Sequence, residues 1–211
     1  GIPDRVGLAA GLSPNDASDA ALDLDGDGVN NLDEYRWGSN IAQTDSDNDG
    51  FADAAEIAAG WSPTLKTRVL YVSPSGSDAN DGLSAANAKL TIGAALLAGR
   101  NIQFENVIRI AAGTYSGTGN KALSFDGWDV KLIGAGADQT VIDLGGDARF
   151  LELKAGETRR GSRLEGMTVR NGTATSQGMA LNVTDAGMDI RNCIFRDCVV
   201  GTPEVVTGPP T

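Results

Sequence analysis

Two patterns of apolar and polar positions divide this chain. Over residues 1–61 the apolar residues come in short clusters between acidic runs: VGLAAGL near the start, LDEYRW after one run and ADAAEIAAGW after the next. Each cluster suffices for about two helical turns, so short helices are expected over residues 5–12 and after Glu34 and Glu56. Gly38 and Gly60 each follow their glutamate by four residues, where a left-handed helix C-cap is wanted. Trp37 and Trp61, beside those glycines, are expected to pack the two halves together. Ser13-Pro14-Asn15-Asp16 reads as a turn.

From Arg68 the pattern changes to short strands. RVLYVS at 68–73 reads as a strand and PSGSDANDGLS at 74–84 as a turn-rich loop. Residues 91–98 read as a helix with Ile92, Ala95 and Leu96 on one face, Thr91 as N-cap and Gly99 as stop. Beyond Val107 come VIRIAAGTY, KALSF, VKLIGAG, TVIDLGG, RFLEL, RLEGMTVRNG, ALNVT and MDIRNCIFRDC. LEGMTVRNG (164–172) can be laid over IRNCIFRDC (190–198), with Met167 over Cys193 and Val169 over Phe195, while Leu132 precedes Leu164 by a similar interval. Recurrent short strands, abundant glycine and no alternating helices predict a parallel solenoid of about four coils, with a β-sandwich as the alternative. The expected fold is therefore mainly β: a short right-handed parallel β-helix over residues 64–200, preceded by an α-helical calcium-binding module over 1–63 and followed by a Pro/Gly/Thr-rich tail over 201–211.

The acidic runs carry the candidate chemistry. DLDGDGVNNLDE and DSDNDGFADAAE are two copies of one twelve-residue pattern. Asp23, Asp25 and Asp27, and likewise Asp45, Asp47 and Asp49, take loop positions 1, 3 and 5. Gly28 and Gly50 take position 6, and Glu34 and Glu56 position 12. Val29 and Phe51 at position 7 would offer a backbone carbonyl, and Asn31 and Asp53 at position 9 a side chain directly or through water. This is the full EF-hand-type loop, whose alternation of ligands and spacers gathers the six to eight oxygens that calcium takes at about 2.3–2.6 Å. Two Ca2+ sites are expected; magnesium, or a solvated acidic loop, is the alternative. Gly1-Ile2-Pro3-Asp4 matches positions 6 to 9 of the same pattern, which leaves two readings open: a repeat begun upstream, or coincidence. Gly7 stands where its position-12 acid would be.

Charge sharpens the division. Of the net −11, residues 1–61 hold 13 acids against Arg5 and Arg36, while the remainder of the chain is balanced. An electrostatic nucleic-acid binder needs a basic face and is excluded. With no histidine in the chain, Ser-His-Asp and Cys-His nucleophile systems are excluded as well. Cys193 and Cys198 have the wrong spacing for a C-x-x-C site, and their separation along a strand argues against a bond between them, so both are expected to be core thiols. No apolar run reaches the length of a membrane span. Loops that fill where calcium is plentiful fit a secreted, extracellular or cell-surface setting.

DLDGDGVNNLDEY and DSDNDGFADAAEIAAG resemble the thrombospondin type 3-like calcium repeats of bacterial surface and secreted proteins and, more distantly, the paired loops of dockerins. The order YVSPSGSDANDGLS, short helix, IRIAAGTYSG is similar to the entry to bacterial right-handed β-helix proteins of the pectate-lyase-like superfamily, in which the helix caps the first coil. That resemblance implies a fold shared by lyases, adhesins and structural proteins. Lyases of the superfamily use calcium and an arginine or lysine base on uronates, and Arg170 and Arg196, at equivalent outward positions, would form a small basic ladder for an acidic glycan. Alternatively, these arginines are solvated or pair with acids such as Glu165 and Asp197. The expected role is a non-enzymatic, calcium-stabilised structural or adhesive surface protein, self-associating head to tail into a filament, with Val205-Val206 as an added strand on the last coil. The alternative is the front of a secreted polysaccharide lyase.

Overall fold

The computed structural model describes residues 1–100, 104–154, 156–158, 161–174 and 180–200. The expected tail, including Val205 and Val206, lies outside them. The chain separates into two compact units, residues 1–68 with a short piece ending at Glu105, and the remainder from Val69.

The first unit is built on three short helices, α1 (Asp4–Ala9), α2 (Asn31–Trp37) and α3 (Asp53–Ala59). Each ends with the same geometry. Gly11, Gly38 and Gly60 adopt φ of 85°, 85° and 70°, and the next residue's N–H returns to the helix, Leu12 to Gly7 O, Ser39 to Glu34 O and Trp61 to Glu56 O, at 2.8, 3.0 and 2.7 Å. This is the Schellman closure, in which glycine takes the left-handed position without a Cβ penalty. Thus α1 repeats the helix of the two acidic loops, with Gly7 buried at the place of Glu34 and Glu56. The tryptophans part company. Trp61 is buried and meets the Phe51 ring edge-on at 5.6 Å, whereas Trp37 is 45% exposed. The reason is their place in the repeat: Trp61 follows its glycine and turns inward with the Schellman bond, while Trp37 precedes its own and stays on the outer helical face.

The second unit is mainly β, a parallel solenoid of about three turns. It is entered through β1 (Thr67–Val72), whose first residues belong to the first unit, and α4 (Ile92–Gly99). The Thr91 side chain caps α4 by accepting from the Ala94 N–H at 3.2 Å. Asp78 accepts from Leu90 N, Thr91 N and Thr91 Oγ1, tying the polar loop to the helix entrance. The helix runs through Gly99, so this glycine is a helical residue.

The first turn holds β2 (Glu105–Ile110), β3 (Gly113–Tyr115) and β4 (Leu123–Ser124). The second holds β5 (Val130–Gly134), β6 (Thr140–Asp143) and β7 (Leu151–Leu153). The third holds β8 (Arg163–Glu165), β9 (Thr168–Arg170), β10 (Thr173–Ala174) and β11 (Leu181–Val183). A further turn opens with β12 (Asp189–Arg191), β13 (Ile194–Arg196) and β14 (Val199–Val200). Strands stack in the orders β1-β2-β5-β8-β12 and β13-β9-β6-β3, with smaller sheets β11-β7-β4 and β10-β14. Register puts Ile108, Leu132, Leu164 and Ile190 in one column, and Tyr115, Ile142, Val169 and Phe195 in another. The expected pairings of Leu164 with Ile190, Val169 with Phe195 and Leu132 with Leu164 are thus present.

Within these columns the members from the first three turns are buried, while Ile190 and Phe195 are exposed. Each fully buried aliphatic side chain contributes on the order of 1.5–3 kcal/mol. Corners repeat as faithfully as strands: Gly166 and Asn192 share a left-handed φ, and so do Asn171 and Asp197. At Gly134 a Cβ would lie 2.3 Å from the Gly166 carbonyl, so only glycine lets these two turns approach. Cys193 and Cys198 are free thiols, both half-buried.

Candidate metal centre

The two acidic loops fold alike because their own backbone is drawn onto their aspartates. At position 1, Asp23 accepts from the N–H groups of Gly26 and Gly28 at 2.8 and 2.9 Å, and Asp45 from those of Asn48 and Gly50 at 2.8 and 3.0 Å. The turn this requires is left-handed at position 4 (Gly26, φ 82°; Asn48, φ 59°) and again at Gly28 and Gly50. Asparagine is among the few residues besides glycine that tolerate such a backbone.

At position 5, Asp27 and Asp49 each accept with one oxygen from the position-7 N–H, that of Val29 and of Phe51, both at 2.8 Å. Position 9 braces the loop entrance. Asn31 Oδ1 accepts from Leu24 N at 3.0 Å, and the Asp53 carboxylate accepts from both the N–H and the hydroxyl of Ser46.

Within each loop the three aspartates place carboxylate oxygens within 4.8 Å of one another. Glu34 and Glu56 are completely buried. Neither Glu34 oxygen has a hydrogen-bond partner among the described residues, nor does Glu56 Oε2, Asp25 Oδ2 or either oxygen of Asp47. Burial, followed by the charges of Asp25, Asp27, Asp53 and Asp23, pushes the Glu34 carboxyl up to about 8. Burial also dominates at Glu56, lifting it to about 7 against the opposing Thr67 hydrogen bond, with Asp49, Asp47 and Asp53 adding to the rise. Asp25 and Asp47 are raised as well, chiefly by burial.

An unpartnered buried carboxylate is costly, and these have oxygens to spare beside further carboxylates. The donor set is all oxygen, suited to a hard divalent cation. Asp23, Asp25, Asp27 and Glu34 would hold one ion and Asp45, Asp47, Asp49 and Glu56 another. Such an ion would neutralise the carboxylates and fix the loop around them.

No family model, curated protein or solved structure matches the chain. The site reading therefore stands on its own geometry.

Three features of these loops escape inspection of the sequence. The second oxygen of Asp27 accepts from Ala54 N at 3.0 Å, at the start of α3, where the N-cap Ala52 has no side chain to do so. By the same device, the second oxygen of Asp49 accepts from Thr67 N, at the start of β1. Thr67 also donates its hydroxyl to Glu56 Oε1 at 3.0 Å. Each position-5 aspartate thus reaches forward to the next element. No spacing rule signals this, because each partner lies beyond the aspartate's own twelve-residue loop.

On the solenoid the arginine column resolves into ion pairs. Arg170 and Arg196 are register partners, but Arg170 binds Asp143 at 2.9 Å and Arg196 lies 4.0 Å from its neighbour Asp197. Among the described residues no helix is long and apolar enough to cross a membrane.

Proposed function

We propose that this protein is a calcium-stabilised, non-catalytic structural or adhesive module of the extracellular space or cell surface, in which two Ca2+ ions rigidify the residues ahead of a β-solenoid. The observation that carries the reading is the pair of completely buried glutamates, Glu34 and Glu56, presenting unpartnered oxygens beside aspartate triads. A non-catalytic role is supported by the commitment of solenoid charges to one another, as in Arg170–Asp143, Arg149–Glu152 and Lys121–Asp147. Self-association head to tail and contact with an acidic glycan belong to the same proposal, and sedimentation velocity with and without calcium tests the first.

Titration calorimetry with calcium is the direct test. Two bound ions per chain are expected, and Glu34→Gln should leave a single ion bound near the original affinity. Heat of binding absent in the unsubstituted protein, or unaffected by removing both glutamates, would overturn the reading. Magnesium in place of calcium should bind far more weakly, since it demands tighter octahedral geometry.

A further inference from the structure

We propose that the second acidic loop and segment 62–68 form a cation-gated clasp: a filled loop holds the chain at Thr67 closed, and an empty one releases it to proteolysis. The inference rests on reading the loop as a cation site.

Two ligand candidates of that loop each give one oxygen to a single residue. Asp49 accepts from the Thr67 N–H and Glu56 from the Thr67 hydroxyl. The neighbouring contacts run the same way. Lys66 Nζ donates to the Asn48 carbonyl, at loop position 4, at 3.2 Å, and Phe51, at position 7, packs edge-on against Trp61. Segment 62–68 thus closes on the loop through positions 4, 5 and 12, with Trp61 just ahead of it on position 7.

The Lys66–Thr67 peptide bond is the point where this matters. Its N–H goes to Asp49 and its carbonyl accepts from Glu105 N at 3.0 Å, while the Lys66 side chain is exposed. A protease must take its scissile segment in an extended form with these backbone groups free, so a clasped bond is a poor substrate despite its accessible lysine. With the ion gone, the carboxylates of Asp45, Asp47 and Asp49 repel at short range, and the contacts to Thr67 loosen with the loop. Linkage makes the effect reciprocal: whatever the ion adds to the hold on Thr67, Thr67 adds to the hold on the ion.

The experiment is limited digestion of the full chain with a lysine-specific protease that itself needs no calcium, in excess calcium and in chelator, with calorimetry on the same samples. Cleavage after Lys66 is expected to slow by at least about tenfold in calcium, while cleavage after Lys89 and Lys121 keeps its rate. Thr67→Val keeps the N–H and loses the hydroxyl. It should weaken one of the two ions by about five- to tenfold, within the usual range of site coupling, and shift protection of Lys66 to higher calcium. Two bound ions with unchanged cleavage at Lys66 would overturn the clasp alone, and so would Thr67→Val with both affinities intact. Absence of any bound ion removes the site and the clasp together.

Discussion

The two units solve the same problem with opposite materials. In the solenoid, buried aliphatic and aromatic columns run from Leu70 and Ile108 through Leu132, Ile142 and Leu164 to Val169. In residues 1–61 the buried large apolar residues are Ile41 and Trp61, while Leu8, Leu22, Leu24, Tyr35, Trp37 and Phe51 are exposed. What is buried there instead is polar: Asn31, Glu34, Ser39, Asp53 and Glu56. Ordering a chain costs roughly 1–2 kcal/mol per residue in backbone entropy. Stacked side chains can offset that cost in the solenoid, whereas buried carboxylates add to it unless they are neutralised. The lesson is that similar order in two regions need not have similar causes, and the two are expected to respond to different perturbations.

Chelation should split them most widely. If each loop is filled at a hundredfold excess over its Kd, the two ions together contribute about 5 kcal/mol. Hydrogen exchange in chelator should then show protection lost across residues 23–61 and retained across 106–170; equal loss in both units would erase the distinction. Leu132→Ala tests the other side. A cavity in the middle of a column should cost about 2–5 kcal/mol, lowering the solenoid's melting temperature by the same amount with and without calcium.

A smaller effect comes from pH. Without bound cation, Glu34 and Glu56 hold protons up to about 8 and about 7, well above their ordinary 4.5. The folded unit then binds more protons than the unfolded chain between those values, so its stability falls as pH rises through that window. In chelator the first unit should melt at lower temperature at pH 8.5 than at pH 6. With saturating calcium the trend should reverse, since the ion and the protons compete for the same oxygens. Thermal denaturation followed by circular dichroism at the two pH values decides it. The smallest effect is expected from Arg170→Ala. Its partly exposed pair with Asp143 should be worth about 0–1 kcal/mol by chemical denaturation, and a larger loss would mean that the solenoid also depends on a charged centre.

Much of the solenoid was legible because register leaves a trace in spacing. Leu132 with Leu164, and Leu164 with Ile190, are a coil apart in the chain and stack in space. Strand alternation was a poorer guide to burial. Lys131, which alternation places on the outer face of its sheet, is completely buried, and burial, followed by the nearby Arg163 charge, brings its ammonium down to about 7. The short strands β10 and β14 have too few residues to show a period at all.

The sequence by itself determined the twin acidic loops, the helix-ending glycines and the stacking interval, because each of these depends on residues close together in the chain or repeated at a fixed distance. Only the tertiary structure decided that Trp61 is inside and Trp37 outside, that Gly7 is buried, and that Asp27 and Asp49 reach forward to Ala54 and Thr67. The physical reason is one of range. The clustering of a loop's carboxylates is set by local backbone geometry, but the fate of a carboxylate's second oxygen depends on which distant N–H the folded chain brings to it.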